Sequence, residues 1–441
     1  MLQTLQQQGL RHVVLCPGSR SGPLALAAAG LKRSGLITLS TAIDERSAGF
    51  HALGRSTASG VATAVITTSG TAVANLLPAA VEADRSSQPL LLISADRPLR
   101  LKNKGANQTV NQEAFLTPVC RWCGSGPLDG LNTGLDHELR ALAQNAWRHL
   151  HQQPGPVHLN VPFEEPLLPD LNQQNAFWNQ WNRSEPEAIT HTPELWTPAS
   201  NNAAPALDPD QPGVIVAGPW RGLSSTLEPY QAALIAWQQR SGWPVLADPL
   251  AAIPNDLSGV IRYWDLLLPH GLSQMPANAQ VLRLGSMPAS RRLEAWLESQ
   301  QGPQLLITEA DPRPLDPLEV AQQWSGGLAQ WWQQLSPQLN AIPAGSCAPT
   351  PQTRSVLESW ENADAAVGKR LSALLPIQGA ANEPALMVAL AQLLPAERPV
   401  MLAASSPVRD WQAFAAGDTG RRRCFSFRGA SGIDGTLSLA L

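Results

Sequence analysis

Along the first 170 residues, short apolar runs rich in β-branched residues alternate with longer Ala/Leu-rich stretches of helical spacing. "HVVLC" precedes "PLALAAAGL", "GLITLS" precedes "DERSAGFHALG", and "ATAVITT" precedes "TAVANLLPAAVEA"; "PLLLISA" and "PVHLNVP" follow. Continuous apolar runs of this length, separated by helical patterns, predict a parallel sheet with both faces covered by helices. Residues 171–211 lose the periodicity and become polar and Pro-rich, as a linker does. A second alternating region follows through "GVIVAG", "WPVLAD", "AQVLRLGS" and "PQLLITEADP", each a strand that stops at Gly, Ser or Asp. The stretch "NAIPAGSCAPTPQ" then leads into helices and "RPVMLAASS", the first strand of a third unit, and "FRGASGIDGTLSLAL" reads as a loop entering a helix. The pattern therefore predicts residues 1–170 as one α/β domain, 171–211 as a linker, 212–345 as a central α/β domain, and 346–441 as linker helices with the beginning of a third. No fixed-period repeat is present.

Composition narrows the classes. The chain has 441 residues, of which 44% are hydrophobic, and a net charge of −4; it is long enough for several cores and carries no basic block suited to nucleic acid or a membrane surface. No apolar run reaches the length of about 20 residues that spans a bilayer, and the N-terminus lacks the pattern of a secretion signal. Five scattered cysteines favour a reducing cytosol over a disulfide framework, so the expected location is cytoplasmic. Cys120 and Cys123 form a C-x-x-C with no second pair, and two small buried side chains is the simpler reading. The 15 tryptophans and 39 prolines are assigned largely to linkers and helix surfaces.

In parallel sheets, ligands gather where strand ends meet helix N-termini. "CPGSRS" turns on Pro17 and Gly18 and offers Ser19 and Arg20 to a carboxylate or phosphate, although a capped helix with a solvated Arg explains it as well. "TTSGT" repeats the arrangement with Ser69, Gly70 and Thr71, where glycine lets a flat ring approach the backbone. "SADRPLRLKNKGANQTVNQ" releases Arg97, Asn107, Gln108 and Gln112 into a polar loop of the kind that serves sites. Arg291 and Arg292 begin a helix, where the macrodipole disfavours cations unless an anion intervenes. "AASSPVRDW" and "FRGASGIDG" add Ser405, Arg409, Arg428 and Ser431. Phosphate-binding, zinc-protease, serine-hydrolase and dinucleotide signatures are missing, and the eight histidines have no metal-ligand spacing.

Taken in order, "CPGSRS", "DERSAGFHALG", "TSGTAVANLLPA", "ADRP", "GANQ", "GPVHLNVPFEEPL", the Arg291/Arg292 pair, "SSPVR" and "RGASGIDG" resemble the thiamine diphosphate-dependent enzymes. Within them the chain is similar to the MenD family of quinone biosynthesis, the 2-succinyl-5-enolpyruvyl-6-hydroxy-3-cyclohexene-1-carboxylate synthases. The resemblance implies an α/β fold of three domains, parallel sheets flanked by helices, with the third domain incomplete. It implies that Glu45 hydrogen-bonds the cofactor's aminopyrimidine, and that a carboxyl in a ligand-covered cleft shifts toward its neutral form. It further implies that Ser19, Arg20, Arg97, Asn107, Gln108, Arg291 and Arg292 face isochorismate, while Ser405, Arg409 and Arg428 hold 2-oxoglutarate. Cofactor contacts would come from Glu45, Ser69, Gly70, Thr71, Ser431 and Ile433. A magnesium or manganese ion would bridge the diphosphate through a G-D…N segment expected beyond residue 441, so the chain reads as C-terminally truncated and a turn or two short at its start.

Departures from the family pattern are Arg291 in place of a usual Lys, Gly22 in place of a common Thr, and Phe427 where Asn often stands. The expected partners are the two small-molecule substrates and a second copy, as a homodimer or dimer of dimers, with no nucleic acid and no membrane span. A non-catalytic truncated remnant and an acetolactate-type synthase stay open as alternatives.

Overall fold

The computed structural model describes residues 1–181, 204–270, 275–340, 348–375, 379, 381–415 and 422–441. Two compact units divide them: Met1–Trp196 with Arg428–Leu441, and Thr197–Phe427. The middle of the expected linker, 182–203, and Cys347 lie outside the described residues.

In the first unit six strands form one parallel sheet: β1 His12–Leu15, β2 Thr38–Thr41, β3 Thr63–Thr67, β4 Leu90–Asp96, β5 Trp122–Ser125 and β6 Pro156–Pro162. Their order is β2-β1-β3-β4-β6-β5. Every residue of β3, β4 and β6 is buried, which is why these segments read as unbroken apolar runs. Val13, Ile66, Ile93, Leu159 and Trp147 sit in one core. Strand β5 was not evident in the sequence, because Trp122–Ser125 has no apolar run and each residue is at least partly exposed. The expected linker opens with a helix, Leu171–Trp181.

The helix Glu45–Ser59 is capped by Asp44, which accepts the Ser47 N–H, and ends on Gly60 in the left-handed region. Its inner glycines have a packing reason. A Cβ on Gly54 would stand 2.0 Å from the Leu439 carbonyl, and one on Gly49 would stand 2.9 Å from Ala79. The helix Thr436–Ala440 is thereby laid against the helix Glu45–Ser59.

The second unit holds a five-stranded parallel sheet: β7 Gly213–Ala217, β8 Val245–Ala247, β9 Gln280–Leu284, β10 Gln304–Ile307 and β11 Gln322–Trp324, in the order β11-β10-β9-β7-β8. The tryptophans correct an expectation. Trp237, Trp243, Trp264, Trp331 and Trp360 are fully buried rather than placed on surfaces. Trp237 meets Trp243 and Trp331 edge to face at ring-centroid distances of 5.4 and 4.9 Å, the geometry the ring quadrupole favours. Three indole N–H groups donate to backbone carbonyls: Trp243 to Gln211 at 2.8 Å, Trp331 to Pro205 at 2.8 Å and Trp264 to Ala247 at 3.1 Å. A short parallel pair, β12 Val400–Leu402 and β13 Cys424–Ser426, completes the unit.

Candidate functional site

In the first sheet the chain leaves β1 in opposite directions, toward β2 on one side and β3 on the other. Beyond the carboxyl ends of these strands lies the switch-point crevice where open α/β sheets bind ligands. The turns after β1 and β3 meet there, since a Cβ on Gly18 would stand 2.3 Å from Thr68 Cβ. Only a glycine allows this approach.

Gly70, three residues past β3, has φ 82° and ψ −136° and caps the helix Thr71–Ala74. Side chains rarely adopt this backbone conformation; Gly70 is buried, and Gln108 Cβ lies 3.4 Å from where a Cβ on it would stand. Ser69 is buried, while Ser19 and Thr71 are exposed.

Two guanidiniums converge on the same crevice. Arg20, 8% exposed, donates to the Phe163 carbonyl at 2.9 Å and to Glu165 Oε1 at 3.3 Å, and its Nε is buried with no hydrogen-bond partner. Arg97 donates to Ser69 Oγ and to the Gln108 carbonyl at 3.0 Å. Burial, and next the nearby charge of Arg20, lower the Arg97 pKa. A pair of like charges held together in this way is suited to an anion that lies between them. Asn107 and Gln108 are exposed on the adjoining loop, and Gln108 sits at φ 54°.

The loop is held by a polar network that sequence reasoning caught only at Gln112. Gln112 is fully buried. Its Oε1 accepts the Gly70 N–H at 3.0 Å, and its Nε2 donates to Asn160 Oδ1 at 2.7 Å, to the Ala95 carbonyl at 3.0 Å and to Ser94 Oγ at 3.2 Å. Asn160 Nδ2 donates to Asp96 Oδ2 at 2.9 Å and to Glu113 Oε1 at 3.0 Å. Lys102 joins the same two carboxylates, 2.7 Å from Asp96 and in contact with Glu113. The missed signal was a polar residue at every second position of otherwise apolar strands: Ser94 and Asp96 in β4, His158 and Asn160 in β6. Period two puts all four on one face of the sheet.

Glu45 is half-buried in the first turn of its helix, where Oε2 accepts from Asn75 Nδ2 at 3.2 Å. Nearby Ile43 is 88% exposed. The segment that carries Arg428, Ser431 and Ile433 is anchored in this unit by Glu82, whose two oxygens accept the Gly429 and Ala430 N–H groups at 2.7 Å each. Ser431 is exposed and Ile433 is 80% exposed.

In the second unit Arg291 and Arg292 open the helix Arg291–Ser299, capped by Ser290. The expected anion is in part a residue of the chain: Arg292 Nη1 lies 3.1 Å from Asp265 Oδ2. Arg291 is exposed, as are Ser405 and Arg409 on the turn and helix after β12. Ser405 stands three residues past its strand at φ 75°, ψ −127°, nearly the conformation of Gly70 and one in which a non-glycine residue is strained. The crevice at the β7/β9 switch contains Glu309, whose Oε1 accepts the Leu328 N–H at 3.0 Å; burial pushes its carboxyl up to about 7. Among the described residues no group of three or more His, Cys, Asp or Glu side chains could hold a metal ion.

Both α/β units match family models of thiamine diphosphate-dependent enzymes. Residues 1–115 match the thiamine pyrophosphate enzyme N-terminal TPP binding domain and residues 175–402 the middle domain of thiamine pyrophosphate enzymes. The chain is 83% identical to the 2-succinyl-5-enolpyruvyl-6-hydroxy-3-cyclohexene-1-carboxylate synthase of Synechococcus sp. (strain CC9311), across all of its own length and 76% of the relative's. Identity to the synthases so named of Synechococcus sp. (strain WH7803) and Prochlorococcus marinus (strain MIT 9313) is 60% and 56%, over 100% and 98% of this chain and 75% of each relative. The chain belongs to the 2-succinyl-5-enolpyruvyl-6-hydroxy-3-cyclohexene-1-carboxylate synthase family.

Proposed function

We propose that the protein is a carboligase that decarboxylates 2-oxoglutarate with thiamine diphosphate and adds the succinyl unit to isochorismate. The product, 2-succinyl-5-enolpyruvyl-6-hydroxy-3-cyclohexene-1-carboxylate, would enter menaquinone or phylloquinone biosynthesis. The observation that carries this reading is the pair of guanidiniums, Arg20 and Arg97, beside the Gly70 turn, in a chain of this family. Both substrates are dicarboxylates, and planar guanidinium forks bind carboxylates bidentately.

Thiamine diphosphate, when bound, supplies the carbanion chemistry that cleaves and joins the 2-oxo acid. The chain's own residues place it and the substrates. Glu45 would hydrogen-bond the aminopyrimidine nitrogen. Ser69, Gly70, Thr71, Ser431 and Ile433 would contact the cofactor. Ser19, Arg20, Arg97, Asn107 and Gln108, with Arg291 and Arg292, orient isochorismate; Ser405, Arg409 and Arg428 orient 2-oxoglutarate. The family's magnesium has no cluster of His, Cys, Asp or Glu ligands among the described residues.

We further place the protein in the cytoplasm as a homodimer. Among the described residues no helix is long and apolar enough to cross a membrane, and exposed Ile43 and Ile433 suit surfaces that a cofactor or second copy covers. The test is product formation from 2-oxoglutarate and isochorismate with thiamine diphosphate and Mg²⁺. Product that disappears in Glu45→Gln supports the reading. Turnover of pyruvate alone, with none of the two dicarboxylates, overturns it in favour of an acetolactate-type synthase.

A further inference from the structure

Cys120 and Cys123 take no part in the chemistry above, yet they stand at one end of the polar network. The β5/β6 register pairs Cys123 with His158 and Ser125 with Asn160. His158 is 1% exposed, and its Nε2 lies 2.7 Å from Ser94 Oγ. Ser94 Oγ accepts from Gln112 Nε2 at 3.2 Å, and Gln112 Oε1 in turn accepts the Gly70 N–H at 3.0 Å. A hydrogen-bonded path thus runs from His158, the register neighbour of Cys123, to the glycine turn of the crevice.

The pair has the features of a reactive dithiol rather than of packing. The two side chains hydrogen-bond each other, Cys123 also meets His158 and the Thr117 hydroxyl, and both cysteines are only partly buried. The hydrogen bond from Cys120 pulls the Cys123 thiol down to about 5, with His158 and Thr117 adding to it against partial burial. The same bond, then burial, pushes Cys120 up. Of the two, Cys123 is the more acidic and Cys120 the less. Cys16 is the contrast, an inert thiol pushed up to about 12 by burial. A thiolate that is partly exposed and has a second cysteine beside it is the arrangement that thiol–disulfide exchange uses.

We propose that Cys120 and Cys123 are a redox-active dithiol, oxidised by a disulfide-bearing partner, whose state is transmitted through His158, Ser94 and Gln112 to the Gly70 turn. The Cys123 thiolate attacks one sulfur of the partner's disulfide; a mixed disulfide forms, the partner's S–S bond breaks, and one partner thiolate leaves and takes a proton from water. Cys120 then loses its proton to water and attacks Cys123 Sγ. The Cys120–Cys123 bond forms and the second partner thiolate departs. The second partner thiolate also takes a proton from water, so the protein loses two electrons and the one proton of Cys120, and the partner's disulfide becomes two thiols. With its thiolate gone, Cys123 no longer supports the His158 end of the path.

The test incubates the reduced chain with glutathione disulfide in one arm and an oxidised dithiol protein in the other, and maps disulfides by mass spectrometry. A reversible Cys120–Cys123 bond in either arm is expected, and the faster arm identifies the class of partner. At pH 6 iodoacetamide should label Cys123 at least about tenfold faster than Cys120 or Cys16. Cys120→Ser should trap a glutathione adduct on Cys123 that does not resolve. The oxidised protein should exchange the Gly70 amide hydrogen faster than the reduced one. Thiols that persist in both arms, together with unselective labelling, overturn the dithiol. A bond that forms with Gly70 exchange unchanged overturns the transmission.

Discussion

Replacing Gln112 with Met keeps an unbranched side chain of similar length and removes every polar contact the amide makes. The consequences are unequal. Ser94 Oγ keeps His158 and Asn160 as partners, at 2.7 and 3.1 Å, and Asn160 Oδ1 keeps the Ser94 hydroxyl. The Gly70 N–H has no such substitute, because Gln112 Oε1 at 3.0 Å is its acceptor and the residue is buried. An orphaned buried donor costs about 1–3 kcal/mol, and each lost bond whose acceptor finds other partners about 1 kcal/mol or less. The sum is on the order of 3 kcal/mol. For a unit of this size that lowers the melting temperature by about 6–12 °C, measurable by scanning calorimetry on the full chain. Hydrogen exchange at Gly70 should accelerate in the same variant. Gln112→Glu sharpens the reasoning: it keeps an acceptor for Gly70 but sets a carboxylate against the Ala95 carbonyl and Asn160 Oδ1, so it should destabilise more as pH rises. A Gln112→Met shift below about 1 kcal/mol, with Gly70 exchange unaltered, would refute the idea that this side chain holds the turn.

Glu309 gives a pH signature. Its folded pKa of about 7 stands above the ordinary 4.5, so the unfolded chain releases this proton first. Stability from this group is complete below about 4.5 and lost as pH rises through 7. Relative to wild type, Glu309→Gln, which keeps an acceptor for the Leu328 N–H, should gain on the order of 2 kcal/mol at pH 8 and little at pH 4.5; parallel denaturation curves at both pH values would count against it. Ser405→Gly removes a side chain from φ 75° and should stabilise the second unit by about 1 kcal/mol in urea titrations, with a loss or no change showing that the turn is unstrained. Glu82→Ala withdraws the acceptor for both Gly429 and Ala430, and proteolysis between residues 428 and 441 should quicken severalfold; an unchanged cutting rate would mean that the glycine-lined packing on the helix Glu45–Ser59 suffices alone.

The strands legible in the sequence are β1–β4, β6–β10 and β12: burial on both sides leaves an unbroken apolar run in β3, β4 and β6–β10, and even the part-exposed β2 and β12 keep a short apolar segment before a turn. Strand β5 was not legible, since its residues are set by a C-x-x-C and a tryptophan that stacks on His149 at 5.5 Å. The turns that carry Arg20, Gly70 and Arg97 could be located from Gly, Pro and Ser after each strand. Their convergence could not, because it follows from strand order. The tryptophans misled for a related reason: a residue type that is common in a chain looks like composition bias until packing shows five of them fully enclosed. The polar ladder of β4 and β6 was in plain sight as i, i+2 polar positions, but a single strand does not reveal that the neighbouring strand carries its complement at the same height.

One bend occurs twice in this chain, at Gly70 and at Ser405, on different sheets and at the same offset from a strand end. At the first position the bend is buried and gives its amide to Gln112; at the second it stands exposed and carries a hydroxyl. A single trajectory of the main chain can thus serve two recognition tasks, and the difference between them is as small as one CH₂OH group.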